Sequence, residues 1–358
     1  MIPQRVGIVG AGLIGTSIGM ALGRREGAVA FVVDTDPERA ATAAALGGGR
    51  AAGPDELRSC DHIVLAVPPA SIAASLLQYQ RLNLNATFSD VASIKASVIA
   101  EAESLGCDLT RFCAAHPIAG RERGGPTAAV PELFDDAIWV STPTTHTSVQ
   151  ARADVRWLAQ ECGGRAVEMS AVEHDRALAV VSHLPQIVAS VLAGQLPEAG
   201  EAGPTLAGRG FRDTTRLADS DPGLWVQIAD GNRLALAAAL TSHAARVQLV
   251  ISALESGDLS SLERVLRYGF DARKALPTKS LQTAVSWARL GVVLLDQPGE
   301  LARLFSVAGD AAVNIEDVAI DHAADHPVGL VLLDVARESA AVLAAAVRGA
   351  GWHVLAIS

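Results

Sequence analysis

Along the first 170 residues, short apolar runs alternate with stretches whose apolar positions recur every three or four residues. The runs Arg5–Val9, Ala30–Asp34, His62–Val67, Thr87–Asp90, Arg111–Ala114 and Ile138–Ser141 read as strands. Pro37–Leu46 and Ile94–Leu105 between them carry the helical spacing. Strands that are apolar throughout, alternating with helices, predict a parallel sheet covered on both faces. Arg165–Met169 is expected to close it.

From Ala171 the pattern changes. Ala177–Leu196 and Pro222–Glu255 read as long, Ala-rich helices that are apolar over more than one face. Such helices need cover on several sides, and a dimer interface supplies it better than one small bundle. Asp271–Lys279 holds Pro277 and several charges and reads as a linker. Beyond it Trp287–Leu295, Val313–Asp321, Val328–Val335 and Trp352–Ile357 read as strands, with helices at Pro298–Asp310 and Ser339–Gly349. That order, βαββαβ, is the ferredoxin-like α+β arrangement. The predicted domains are therefore residues 1–170, 171–278 and 286–358.

Composition narrows the picture. A chain of 358 residues suits two or three domains at about 150 residues each, and the pattern selects three. Half the residues are hydrophobic, which excludes disorder as the dominant state. No unbroken run of about 20 apolar residues is apparent, so no membrane span is expected. The net charge is −10, with no basic stripe, which argues against nucleic acid as a partner. Cys60, Cys107, Cys113 and Cys162 form no CxxC pair and no zinc-like spacing. Reduced, buried thiols, no metal and a cytoplasmic location are the expectation. Met1–Arg5 leads straight into the first strand, without a signal peptide.

The first strand is followed by Gly10-Ala11-Gly12-Leu13-Ile14-Gly15, which opens a helix. A GxGxxG in this setting predicts a Rossmann-type dinucleotide site. Gly10 permits the tight turn, Gly12 lets a pyrophosphate approach the backbone, and Gly15 lets helix and strand pack closely. Leu13 and Ile14 begin the helix whose positive end faces the phosphates. Asp34 lies 22 residues beyond Gly12, at the end of the second strand. A carboxylate there accepts from a ribose 2′-hydroxyl and repels a 2′-phosphate, favouring NAD over NADP. Val67 and Pro68 end the third strand, beside the expected adenosine or ribose edge.

Polar residues stand out in three clusters. They are Ser89–Lys95, His116–Glu122, and the pair Ser182–Pro185 with Gly210–Arg216. His116 precedes Pro117 at the expected carboxyl edge of the sheet, where such folds bind ligands. A histidine there has the pKa to take a proton from a hydroxyl, and equally reads as a structural histidine when taken alone. Ser93 reads as a helix N-cap or as a donor to the nicotinamide or His116. Arg216 suits a carboxylate or a surface ion pair. His183 lies among apolar residues and suits a core position.

Taken together, these clusters resemble the prephenate/arogenate dehydrogenase family of tyrosine biosynthesis. The resemblance rests on the GxGLIG loop, DxxSxK ending at Lys95, HPxxGxE from His116 to Glu122, and EHDR at Glu173–Arg176. SHLP at Ser182–Pro185 and DxTR at Asp213–Arg216, followed by Asp221-Pro222 and Trp225, complete it. It implies NAD-dependent oxidative decarboxylation of a small dianionic substrate, prephenate or, alternatively, arogenate, by a homodimer. It further implies that His116 takes the ring hydroxyl proton, Ser93 orients His116 and the nicotinamide, and Arg216 grips a carboxylate. His183 would line the same pocket, and Glu122 and Asp213 its mouth. Gln186 departs from relatives that carry a second pocket histidine there. Nothing precedes the Gly-rich loop, so a fused chorismate mutase is not expected.

The C-terminal segment resembles an ACT domain, through Asp296–Leu301 and Asn314-Ile315, which implies tyrosine as a feedback effector. Two other readings fare worse. A β-hydroxyacid dehydrogenase relies on a lysine in its helical domain, and Ala177–Leu254 contains none. A non-catalytic, NAD-responsive sensor would not need His116, Ser93 and Arg216 together.

Overall fold

The computed structural model describes residues 2–24, 28–83, 85–120, 124–274, 287–295, 297–322 and 328–357. It divides into two compact units, Met1–Gln248 and Leu249–Ser358.

The first unit opens with β1 (Arg5–Val9), α1 (Leu13–Gly23), β2 (Val29–Val33), α2 (Pro37–Ala45), β3 (Arg50–Ala51), β4 (His62–Leu65), α3 (Ile72–Leu82), β5 (Thr87–Asp90) and α4 (Ala96–Ser104). The strands form a parallel sheet in the order β3-β2-β1-β4-β5. Alternating side chains feed two cores, as a sheet covered on both faces requires. Val9, Ile63, Leu65 and Phe88 pack with Ile72 and Leu76 of α3 on one face. Val6, Ile8, Val32 and Val64 pack with Ile18 and Leu22 of α1 on the other.

Next come β6 (Ala114–Pro117), β7 (Ile138–Thr142), α5 (Val149–Glu161) and β8 (Arg165–Glu168). A parallel bridge between Phe88 and Phe112 joins this second sheet to the first. β6 then pairs antiparallel with β7, and β7 parallel with β8. The expected strand at Arg111–Ala114 is thus displaced toward the C-terminus, and His116 lies within β6 rather than after it. Because the bridge is parallel, β6 ends at the same edge as β5.

The helical part comprises α6 (Ala171–Leu178), α7 (Leu184–Ala193), α8 (Gly203–Leu206), α9 (Arg209–Thr215), α10 (Pro222–Gly231) and α11 (Arg233–Ser256). Both long helices expected here are interrupted. A π-turn, Ala179–His183, separates α6 from α7, where Pro185 supplies no amide for the regular ladder. α10 ends at Asn232, where a Cβ on Gly231 would come within 2.1 Å of Ile94 Cδ1. By length and composition, residues 171–199 and 233–256 are each apolar enough to cross a membrane, which corrects the expectation of no such stretch. Yet the first carries His174, Asp175 and His183 buried inside the protein. α11 leaves Leu234, Leu249 and Leu254 exposed.

The second unit contains α12 (Leu259–Lys274), β9 (Trp287–Leu295), α13 (Glu300–Asp310), β10 (Asp317–His322), β11 (Val328–Ala336), α14 (Arg337–Gly349) and β12 (His353–Ile357). α12 replaces the start of the expected linker, its last turn closed by Arg273 and Lys274, which suit a helix C-terminus. Residues 275–279 of that linker lie outside the described residues. The four strands are antiparallel in the order β10-β11-β9-β12, as a βαββαβ chain demands. Val292, Leu304, Leu333, Leu343 and Val347 fill its core.

Candidate active site

The Gly-rich loop joins β1 to α1 and has the geometry a dinucleotide needs. Gly10 adopts φ +106°, and a Cβ there would meet the Ala66 carbonyl oxygen at 2.3 Å. A Cβ on Gly15 would meet the Gly10 carbonyl oxygen at 2.0 Å, so this glycine permits close packing. A Cβ on Gly12 would meet nothing within 4 Å, and no side chain caps the first turn of α1. The amides of Leu13 and Ile14 therefore face open space at a positive helix end. Asp34 accepts from Ala11 N at 2.7 Å and from Asp36 N at 2.9 Å, bracing the loop from the end of β2. Val67 is half-buried and Pro68 exposed beyond β4, on the same edge.

Across that edge, Asp90 and Lys95 are both fully buried and ion-paired. Lys95 Nζ also donates to the Ala115 carbonyl at 2.6 Å, and Asp90 accepts from Ala115 N at 2.8 Å. The pair ties the ends of β5 and β6 together just before His116. Burial pulls the Lys95 pKa down, while Asp90 opposes it.

His116 is 9% exposed. Its Nδ1 lies 2.9 Å from His174 Nε2, and His174 Nδ1 lies 2.8 Å from Asp175 Oδ1. The Asp175 carboxylate also accepts from Lys95 N at 2.9 Å and Ala96 N at 2.8 Å, so it caps α4 from another helix. Ser93 lies in the loop ahead of α4 and is not its N-cap, which is Lys95. Among the described residues His174, not Ser93, holds His116 Nδ1. Burial, and then the positive charge of Lys95, holds the His116 pKa well below that of a free histidine. His116 is therefore neutral at physiological pH, as a base must be.

His183, at the end of the π-turn, is fully buried with its ring edge-on to Trp225 at 6.0 Å between centroids. Burial lowers its pKa to about 4, against the pull of Asp175. Asn232 Nδ2 donates to the Asp175 carbonyl at 2.7 Å and lies 3.2 Å from His183 Nδ1. Arg216 and Asp213 lie exposed on and beside the end of α9. Gln186, buried on α7, donates to the Leu217 carbonyl at 2.8 Å, so the residue in place of a pocket histidine anchors the chain next to Arg216. Glu122 lies outside the described residues.

Four residues of this arrangement had no role in the sequence reading: Lys95, His174, Asp175 and Asn232. EHDR contains the middle two, and Gly231-Asn232 inside an apolar helical run was a legible break signal. The four cysteines are buried and form no disulfide, and burial pushes Cys60 up to about 11 and Cys113 up to about 12, which disfavours the reactive thiolate at both.

Residues 18–168 match the family described as prephenate dehydrogenase, nucleotide-binding domain, and residues 170–268 match prephenate dehydrogenase, dimerization domain. The chain is 32% identical over 356 residues to a probable prephenate dehydrogenase from Streptomyces niveus, spanning 96% of this chain and 98% of that protein. The crystal structure of Aquifex aeolicus prephenate dehydrogenase in complex with hydroxyphenyl propionate and NAD⁺ aligns with a TM-score of 0.70 at 27% identity, covering 76% of this chain and 97% of that one. The Synechocystis arogenate dehydrogenase structure aligns with a TM-score of 0.65 at 28% identity, covering 75% and 99%. Fold and site thus define an NAD-dependent oxidoreductase built on a Rossmann-type domain and a helical domain. The chain belongs to the prephenate dehydrogenase family.

Proposed function

We propose that this protein oxidises and decarboxylates prephenate to 4-hydroxyphenylpyruvate in the cytoplasmic synthesis of tyrosine. The observation that carries it is a buried His116 at the carboxyl edge of the sheet, backed by His174 and Asp175. NAD⁺, held by Gly10, Gly12, Leu13, Ile14, Gly15, Asp34, Val67 and Pro68, supplies the hydride acceptor. His116 takes the proton of the ring hydroxyl as hydride leaves. The ring carboxylate departs as CO₂, and aromatisation makes the step irreversible. Arg216 binds a substrate carboxylate in fork geometry, giving local charge complementarity in a chain of net charge −10. Ser93 and His183 line the pocket, and Glu122 and Asp213 stand at its mouth. His116→Asn is expected to keep NAD⁺ affinity and to lose turnover by roughly 10²–10⁴-fold. Unchanged turnover would refute the assignment.

Arogenate is the second reading, favoured by the likeness to the Synechocystis enzyme. Arogenate carries an ammonium where prephenate has a keto group, so kcat/KM on the two substrates decides. We also assign three domains, 1–170, 171–278 and 286–358. The two family matches, meeting at residues 168 and 170, support the first boundary. A homodimer would cover the apolar residues that α11 leaves exposed. The last domain, with its ferredoxin-like strand order, is assigned as an ACT-type module for tyrosine. Calorimetric titration of tyrosine against the full chain and a chain ending near Thr278 tests this. Equal heats would refute it.

A further inference from the structure

We infer that Asp175 and Asn232 hold the two pocket histidines in opposite tautomers, His116 presenting a bare Nε2 and His183 presenting an Nε2–H. His174, Asp175 and Asn232 are then positioning residues for both proton transfer and substrate grip. This assignment builds on the proposed prephenate chemistry but is measurable without substrate.

A carboxylate only accepts, so the contact at 2.8 Å between Asp175 Oδ1 and His174 Nδ1 places a proton on that nitrogen. In the tautomer that carries only this proton, the His174 lone pair lies on Nε2. His116 Nδ1, 2.9 Å away, must donate to it, which leaves the lone pair of His116 on Nε2. That is the form a base needs, and the imidazolium formed on proton uptake keeps its Nδ1–H bond to His174, with Asp175 behind it.

The other branch leaves the same residue by its backbone. A carbonyl also only accepts, so Asn232 Nδ2 is fixed as the amide nitrogen by its bond at 2.7 Å to the Asp175 carbonyl. Its second proton points to His183 Nδ1 at 3.2 Å, which makes Nδ1 the acceptor and Nε2 the protonated atom. His183 Nε2 is buried and makes no hydrogen bond among the described residues. A buried donor without an acceptor is costly, so its natural complement is an oxygen of the bound ligand, a carboxylate or carbonyl. One acid thus sets both an acceptor and a donor. The break between α10 and α11 is what delivers Asn232 to it.

Enzyme labelled with ¹⁵N-histidine and saturated with NAD⁺ tests this by long-range ¹H–¹⁵N spectra at pH 7.5, assigned with His116→Gln and His183→Gln. The expected spectrum shows His116 protonated at Nδ1 and His183 protonated at Nε2. The reverse tautomer at either residue overturns the proposal. In kinetics on prephenate, His174→Phe should lower kcat about 10- to 100-fold with little change in KM, and His174→Gln should recover part of the loss. Asn232→Ala should raise KM about tenfold with kcat changed less than about threefold. A His174→Gln variant no better than His174→Phe, or an Asn232→Ala effect confined to kcat, contradicts the positioning roles. If the wild type fails to turn over prephenate, the functional reading falls while the spectra still decide the tautomers.

Discussion

Replacing Gly12 with alanine separates the loop's contact with cofactor from the packing of the loop itself. Gly12 has φ −83° and ψ −168°, which alanine adopts without strain, and a Cβ there meets nothing within 4 Å. Alanine is a worse N-cap than glycine by up to about 1 kcal/mol. Removing glycine's freedom in the unfolded chain returns about 0.4–1 kcal/mol. The two offset, so the melting temperature is expected to move by no more than about 2–4 °C. The added methyl nevertheless stands where a pyrophosphate would reach the amides of Leu13 and Ile14. Losing one hydrogen bond to a charged group costs about 1.5–3 kcal/mol, a rise in Kd of roughly 10- to 150-fold. Gly15→Ala is the contrast, because its Cβ would lie 2.0 Å from the Gly10 carbonyl oxygen and 3.1 Å from Ile8 Cγ2. Overpacking of that kind costs about 1–3 kcal/mol, seen first as a lower melting temperature. Calorimetric titration of NAD⁺ and thermal melts on both variants give the readout. A Gly12→Ala protein that binds NAD⁺ within twofold of wild type would show that the pyrophosphate does not lie against this residue.

Three further outcomes are expected. Asp34→Ser should raise the ratio of NADP⁺ to NAD⁺ efficiency, because the carboxylate that repels a 2′-phosphate is gone. An unchanged ratio in steady-state kinetics would count against Asp34 as the selector. Lys95→Met leaves Asp90 buried without its cation and should destabilise the protein by about 3–5 kcal/mol, with Asp90→Asn/Lys95→Met recovering part of it in chemical denaturation. A double variant no more stable than Lys95→Met would argue against the pair as the cause. Burial holds His62, between Thr87 and Ser89, down to about 3. An unfolded histidine titrates near 6.5, so this contribution to stability is complete above pH 6.5. It is lost as the pH falls toward 3, at about 1.4 kcal/mol per pH unit. His62→Asn should flatten that slope in melts between pH 6.5 and 4.5, and an equal slope in both proteins would exclude His62 as its source.

Much of the site is encoded locally. Gly10 and Gly15 are required by a positive φ and by close packing, both consequences of a tight strand-to-helix turn, so the loop is readable from spacing. Asp34 follows from strand length, and His116 from its place beside Pro117. Backbone geometry and hydrophobic periodicity act over a few residues, and they determine the sheet, the two cores of the first unit and the βαββαβ order of the second.

Only the tertiary structure decided how His116 is held. His174 is 58 residues away along the chain, and nothing near His116 specifies its partner. The family resemblance implies Ser93 as the residue that orients His116, and the folded chain adds another histidine at His116 Nδ1. Gly231-Asn232 signals a break in an otherwise continuous apolar run, but only the folded chain shows Gly231 packed against Ile94 and Asn232 delivered to Asp175 and His183. The physical reason is the same in each case. A buried polar group must find a partner wherever packing delivers one, and the three-dimensional arrangement, not spacing along the chain, sets which partner that is.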